Sequence, residues 1–390
     1  MVEACRNGFS DKENQDLSLL TDPSELTDTI LDQIGRLPLR KRLPESGRPF
    51  RILCLDGGGI RGAYTASVLS SWEEHTAYNI RDHFDLIAGT STGGILAIGL
   101  GMGLKASDLL DFYEIHGGVI FPTEKPVSKL RHSIQHWFGS KFNQNTLKEK
   151  IEEVLTLSPV DTTSLNNSMT RLVIPSYDTE SDTLLLYRTS HGEFEKNNGT
   201  LETIDVALAT SAAPTYFDPI RIDNALAVDG GVWANSPTTV ALAEAVNVLG
   251  VDMERIEMLS VGTTYSPELL GNPLEIDQNF IETILEATIG KLLAKIVSKF
   301  WKPKSVKGKI GWAPKIAGFL MKTQAQTADL ICRNLLGDRF LRIDTPTTKT
   351  ELDDVDAIKR LIRLGEESAS KNIRDVQTKF LNGLPVDHWK

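Results

Sequence analysis

The sequence predicts an α/β fold in which a largely parallel sheet is covered by helices on both faces, and three observations carry that prediction. Short apolar runs bounded by turn residues recur through the middle of the chain, and segments of helical period lie between most of them. After about Ser266 the strand signals fade and long amphipathic segments take over. Continuous apolar runs mark strands buried on both faces, which is what helices on either side of a parallel sheet produce.

The strand runs are residues 51–55, 84–88, 171–177, 183–187, 225–228 and 257–261, and the helical segments among them are 62–74, 107–115, 146–155 and 237–246. Beyond Ser266 the amphipathic stretches 277–301, 314–336 and 352–380 read as helices. Residues 1–48 read as a flexible arm, polar and ending in a basic stretch with Pro44 and Gly47. The resulting division is an arm (1–48), a catalytic domain (49–265) and a helical C-terminal region packed on or regulating it (266–390).

Composition narrows the function. With 41% apolar and 24% charged residues, 390 in all, the chain has the make-up of a globular protein, and its net charge of −10 disfavours a nucleic-acid polymer as partner. Cys5, Cys54 and Cys332 are too few and too scattered for a disulfide framework or a metal pair, which suits a reducing, cytoplasmic setting. The first 28 residues lack the apolar core of a secretory signal. The uncharged run 86–104 has six glycines and three Ser or Thr, so it reads as strand, turn and buried helix rather than a membrane span. His132 and His136 share a helical face but lack a third ligand, and no metal is implied.

Chemistry concentrates in three blocks. Gly89-Thr90-Ser91-Thr92-Gly93 matches Gly-x-Ser-x-Gly and lies between a strand and an apolar helix-like run, the context a nucleophile elbow needs. By itself the pattern is weak. Asp56-Gly57-Gly58-Gly59-Ile60-Arg61-Gly62 follows a strand directly, and successive glycines let backbone amides converge on one point, as an oxyanion hole requires. A dinucleotide loop would also fit Gly57-x-Gly59-x-x-Gly62, but it needs an acid closing the next strand, and Asp82 and Asp85 precede residues 84–88 or open them.

The third block is Asp229-Gly230-Gly231, at the end of an apolar run. Alone it is an ordinary turn. A hydrolase triad in the order Ser, acid, His has only His388 to use, in the polar tail, so a serine here needs another base, and a buried carboxylate can serve. Asp229 is the candidate.

Together these blocks resemble the patatin-like phospholipases in order and spacing, with further similarity at residues 210–217 and 233–237, over about residues 50–265. The resemblance implies a three-layer α/β/α fold and hydrolysis of fatty-acyl esters through a Ser91–Asp229 dyad, with no metal or cofactor. It implies an oxyanion hole from the amides around Gly57–Gly59 and Thr92, with Arg61 and Gly62 completing the loop and Arg61 helping to hold an anionic intermediate or a lipid phosphate. Gly89, Gly93, Gly230 and Gly231 are motif neighbours. A storage or lipid-binding protein of the same fold is the alternative, against which an intact Ser91 and Asp229 count.

A narrower resemblance is to patatin-like effectors of bacterial antiphage systems, which act on membrane phospholipid once a cyclic nucleotide binds. Residues 287–328 hold nine lysines and no acid. Lys299, Lys302, Lys304 and Lys307 there form a candidate anion or membrane patch, matched either to the inner face of a bilayer, as peripheral contact, or to the phosphates of a cyclic-nucleotide activator. Oligomeric state leaves no mark in the sequence.

Overall fold

The computed structural model describes residues 48–122, 142–191, 201–265, 313–348 and 350–382. Their centre is an eight-stranded sheet built from β1 (Phe50–Leu55), β2 (Leu86–Gly89), β3 (Arg171–Asp178), β4 (Thr183–Arg188), β5 (Ile220–Ile222), β6 (Ala225–Asp229), β7 (Ile256–Val261) and β8 (Phe340–Ile343). In the order β3-β2-β1-β7-β8 the strands run parallel. β4 and β6 pair antiparallel with β3, and β5 with β6.

The helices are α1 (Gly62–Glu73), α2 (Thr92–Gly101), α3 (Ala106–Ile120), α4 (Gln144–Leu155), α5 (Thr203–Ser211), α6 (Gly231–Ala234), α7 (Thr238–Ala243), α8 (Ala313–Leu336) and α9 (Ile358–Val376). Alternation along the strands sends side chains to two separate cores. Leu53, Leu55, Ile87, Leu172 and Ile174 join the core built with α1 to α5 and α9. Phe50, Ile52, Cys54, Leu86, Ala88 and Val173 join the other, with Ala241 and Leu242 of α7 and Cys332 and Leu336 of α8. This is the three-layer α/β/α arrangement expected from the apolar runs.

Two strands escaped the sequence reading. β5 has three residues, and β8 has four lying in the region read as wholly helical, so neither gives a period-2 signal long enough to register. β8 matters for position: it adds the last parallel strand to the sheet from beyond residue 265.

The same region fills the α1 side. α9 buries Ile358, Leu361, Gly365, Ser368, Ala369 and Val376 at helical spacing. It crosses α1 so closely that a Cβ on Gly365 would lie 2.6 Å from Cβ of Ser67. Ser67 donates to the Ile362 carbonyl at 2.8 Å, and the Tyr64 hydroxyl to Ser368 at 2.9 Å. Removing the fully buried Leu361 side chain to Ala should cost about 2–5 kcal/mol. Among the described residues, no helix is long and apolar enough to cross a membrane.

Candidate active site

Ser91 stands where β2 turns into α2, with φ 55 and ψ −123, a conformation side-chain-bearing residues rarely adopt. The turn is tight because helix and strand nearly touch. A Cβ on Gly89 would lie 2.1 Å from the Gly93 carbonyl oxygen, and one on Gly93 would lie 2.2 Å from that of Leu55. Those two glycines are therefore required by close approach. Thr210 of α5 holds the bend: its hydroxyl accepts the Ser91 amide at 3.0 Å and donates to the Pro175 carbonyl at 2.7 Å. The amide of Thr92, in the first turn of α2, has no intrahelical partner and sits at the positive end of the helix.

Asp229 closes β6 and is 1% exposed. Its Oδ1 accepts the Gly231 amide at 2.7 Å, while its Oδ2 is buried with no hydrogen bond. Burial pushes its pKa up to about 7, and the neighbouring Ser91 hydroxyl and Gly231 amide pull part of that rise back. A carboxylate tuned near neutrality, one oxygen unengaged and a hydroxyl beside it, has the properties of a general base.

The glycine loop reaches the same place from the end of β1. Its amides are not equivalent. Gly57 donates its amide to the Asn235 carbonyl at 2.9 Å and Ile60 donates to that of Leu352 at 2.8 Å. Those of Gly58 and Gly59 donate to no acceptor among the described residues. Gly57 is thus a tie between blocks, not a donor to an oxyanion, and the donor set the structure offers is Gly58, Gly59 and Thr92. Gly59 takes φ +57, and a Cβ there would meet the Leu352 carbonyl at 2.4 Å.

Arg61 does something other than face an anion with all its donors. Its Nε donates to the Gly58 carbonyl at 3.2 Å and its Nη1 to that of Thr264 at 3.4 Å, so it braces the loop from within. At Gly62 a Cβ would lie 2.2 Å from the Thr92 hydroxyl, which is hydrogen-bonded to Tyr113 of α3. Gly230 packs on the Pro175 carbonyl and Gly231 on Met321, at 2.3 and 2.7 Å from a would-be Cβ. Lys299, Lys302, Lys304 and Lys307 lie outside the described residues.

Ser91 and Asp229 open into one apolar cavity of about 50 Å³, with Ile95, Phe112 and Phe217 among its walls and Met321 and Leu352 contributed by the C-terminal region. No histidine among the described residues lines it. His191 is buried elsewhere against Glu244 and Thr189, and both ring nitrogens of His83 are buried without a hydrogen bond. His132, His136 and His388 lie outside the described residues. Sequence reading missed Tyr113, Met321 and Leu352, which belong to no motif and reach the site only through the fold.

A serine held in this backbone conformation beside a loop of unengaged amides has the geometry that a serine esterase needs. Residues 53–242 match the family described as patatin-like phospholipase, and the chain belongs to that family of lipid-hydrolysing esterases. It is 28% identical over 313 residues to a cGAMP-activated phospholipase of Pseudomonas aeruginosa, covering 80% of this chain and 83% of that one. It is 34% identical over 233 residues to a cGAMP-activated phospholipase of Vibrio cholerae, covering 55% of this chain and 64% of the relative, just under two thirds of its length. Among solved structures, VipD from Legionella pneumophila aligns over 86% of this chain and 69% of its own at 12% identity and a TM-score of 0.40, too loosely to bear on function.

Proposed function

We propose that this protein is a phospholipase A-type enzyme that hydrolyses fatty-acyl esters of membrane glycerophospholipids through a Ser91–Asp229 dyad. The observation that carries the reading is the Asp229 carboxylate, buried, raised to about 7 and with one oxygen unengaged, next to the Ser91 hydroxyl at a strained elbow. In the first half-reaction Asp229 takes the Ser91 proton as the serine oxygen attacks the acyl carbonyl, and the new oxyanion lies toward the amides of Gly58, Gly59 and Thr92. Collapse expels the lysolipid alkoxide, which receives the proton from Asp229. Water, deprotonated by the same carboxylate, then releases the fatty acid and restores Ser91.

The relatives named as cGAMP-activated support a switch by a cyclic nucleotide, and the same proposal extends to activity at the inner face of the membrane in defence against phage. The cavity at Ser91 is lined by apolar side chains, as binding of a fatty-acyl chain requires.

The test is direct. Purified protein is mixed with phospholipid vesicles with and without cGAMP, and released fatty acid is measured alongside labelling by a fluorophosphonate. Ser91→Ala should abolish both readouts, while Ser70→Ala should leave labelling intact. Full labelling of Ser91→Ala overturns the dyad, and hydrolysis that ignores the nucleotide overturns only the switch.

A further inference from the structure

The glycine loop is anchored by a charged cluster that the chemistry itself does not use. Asp56, the residue before Gly57, is 2% exposed, and its Oδ2 accepts Nη2 of Arg342 at 2.6 Å. Arg342 is in β8. The same guanidinium donates through Nη1 to the Ser260 hydroxyl of β7 at 2.7 Å and through Nη2 to Asp344 at 2.8 Å, and its Nε lies 3.2 Å from the Asp329 carboxylate of α8. One side chain therefore joins β7, β8, α8 and the start of the loop that offers the Gly58 and Gly59 amides.

Three carboxylates around one cation is an unbalanced arrangement. Asp56 Oδ1 and Asp329 Oδ1 are both buried without a hydrogen bond, so the cluster is not built for greatest stability. A buried ion pair seldom outdoes well-packed apolar residues in stability, but a guanidinium offers a rigid planar fork whose donors fix directions. The direction being fixed is that of the loop. Asp344 extends the brace, since its Oδ1 accepts the amides of Thr264 and Thr345 at 2.9 Å each, and the Thr264 carbonyl is one of the two that hold Arg61.

α8 touches the Asp229 block as well. The Gln324 side chain accepts the Ser236 amide at 2.9 Å and donates back to the Ser236 carbonyl at 3.2 Å, while Met321 packs on Gly231. The seat of this helix bears on the glycine loop and on the Asp229 block through separate contacts.

We infer that Arg342 is a positioning residue of the reaction: through Asp56 it sets where the Gly58 and Gly59 amides point, and through Asp329 it makes that aim depend on the seat of α8. The inference rests on the proposed roles of Ser91 and those amides. Arg342 touches no reacting atom. Its loss should act on the step in which the oxyanion forms, not on substrate binding.

The experiment uses the full chain, with kcat and KM on a soluble p-nitrophenyl ester and the rate of fluorophosphonate labelling measured for Arg342→Gln, Arg342→Lys, Asp56→Asn, Asp329→Asn, Ser91→Ala and the double variant Asp56→Asn/Arg342→Gln. Arg342→Gln should lower kcat and labelling rate at least about tenfold, approaching the ~10²-fold typical of losing an oxyanion donor, with KM within about threefold. Arg342→Lys should recover part of the loss. The double variant should be no worse than the poorer single one, because both remove the same contact. Should Arg342→Gln not fold, Arg342→Lys and Asp329→Asn decide, each slowing labelling by about threefold or more. Labelling at the parental rate in those two variants, or losses that simply add in the cycle, overturns the inference. Full labelling of Ser91→Ala would instead sink the dyad reading, so the two failures are distinguishable.

Discussion

The amide of Gly57 donates to the carbonyl of Asn235 at 2.9 Å, which ties the glycine loop to the stretch that follows Asp229. Asn235 also presses its side chain on the loop: its Nδ2 reaches the Gly57 carbonyl at 3.4 Å, and its Oδ1 lies 2.6 Å from where a Cβ on Gly57 would stand. The next nearest atoms to that point, Cβ of Ser91 at 3.3 Å and the Thr90 carbonyl at 3.4 Å, need yield only by about a few tenths of an ångström.

A rescue experiment follows from those distances. Gly57→Ala should lower kcat by about tenfold or more, by displacing the loop and not by removing a donor. Asn235→Ala opens the space the new methyl needs, so Gly57→Ala/Asn235→Ala should be more active than Gly57→Ala alone. Gly58→Ala offers no such remedy through Asn235, because its methyl would meet the Thr263 side chain at 2.4 to 2.8 Å. A double variant no better than Gly57→Ala would mean that the glycine serves as more than a spacer.

The raised pKa of Asp229 sets the pH behaviour. A base must be ionised, so kcat/KM should rise with pH through about 7 and level off above it. Asp229→Asn should lose about 10²–10⁴-fold and show no such limb.

Stability should move the other way. The unfolded carboxyl titrates near 3.8 and the folded one near 7, so the folded state holds its proton more tightly. That contribution is complete below 3.8 and is lost as pH rises through about 7. Asp229→Asn should therefore melt higher than the parent at pH 8, with the gap narrowing toward pH 5. A gap that widens on acidification would reverse the assignment.

The three blocks were legible because each needs particular residues in a fixed local order. Glycines at Gly89 and Gly93 are dictated by backbone atoms 2.1 and 2.2 Å from their absent side chains, and that demand is written into the sequence. The parallel sheet was legible too, since strands such as β1 and β3, buried on both faces, read as unbroken apolar runs. What escaped depends on distance along the chain. Arg342 meets Asp56 across 286 positions, and nothing near either residue announces the other. Gly57 was read as a donor because its neighbours suggest it, whereas the acceptor that engages its amide lies 178 positions away, at Asn235.

Backbone strain at Ser91 offers a separate test. With φ 55 and ψ −123 the serine occupies a region that glycine enters freely. Ser91→Gly should abolish hydrolysis and yet stabilise the fold by about 1 kcal/mol relative to Ser91→Ala, read from denaturant midpoints at equal slope. Equal midpoints would show that the elbow is relaxed.

Met321 is placed to limit how far a substrate can enter. It comes from α8, packs 2.7 Å from a would-be Cβ on Gly231, and walls the cavity in which Ser91 and Asp229 meet. A long acyl chain entering beside Ser91 would press on this wall. Shortening Met321 to Ala removes three heavy atoms from the wall while leaving Ser91, Asp229 and the unengaged amides in place. An acetyl ester needs little depth, so its turnover should change by less than about threefold, whereas turnover of a dodecanoyl ester should rise several-fold by relief of uniform exclusion. A series of p-nitrophenyl esters from acetate to dodecanoate measures that ratio directly. If Met321→Ala leaves the ratio of long-chain to short-chain turnover unchanged, the barrier to the acyl chain lies elsewhere in the wall, and Leu352, the other C-terminal contributor, becomes the residue to shorten.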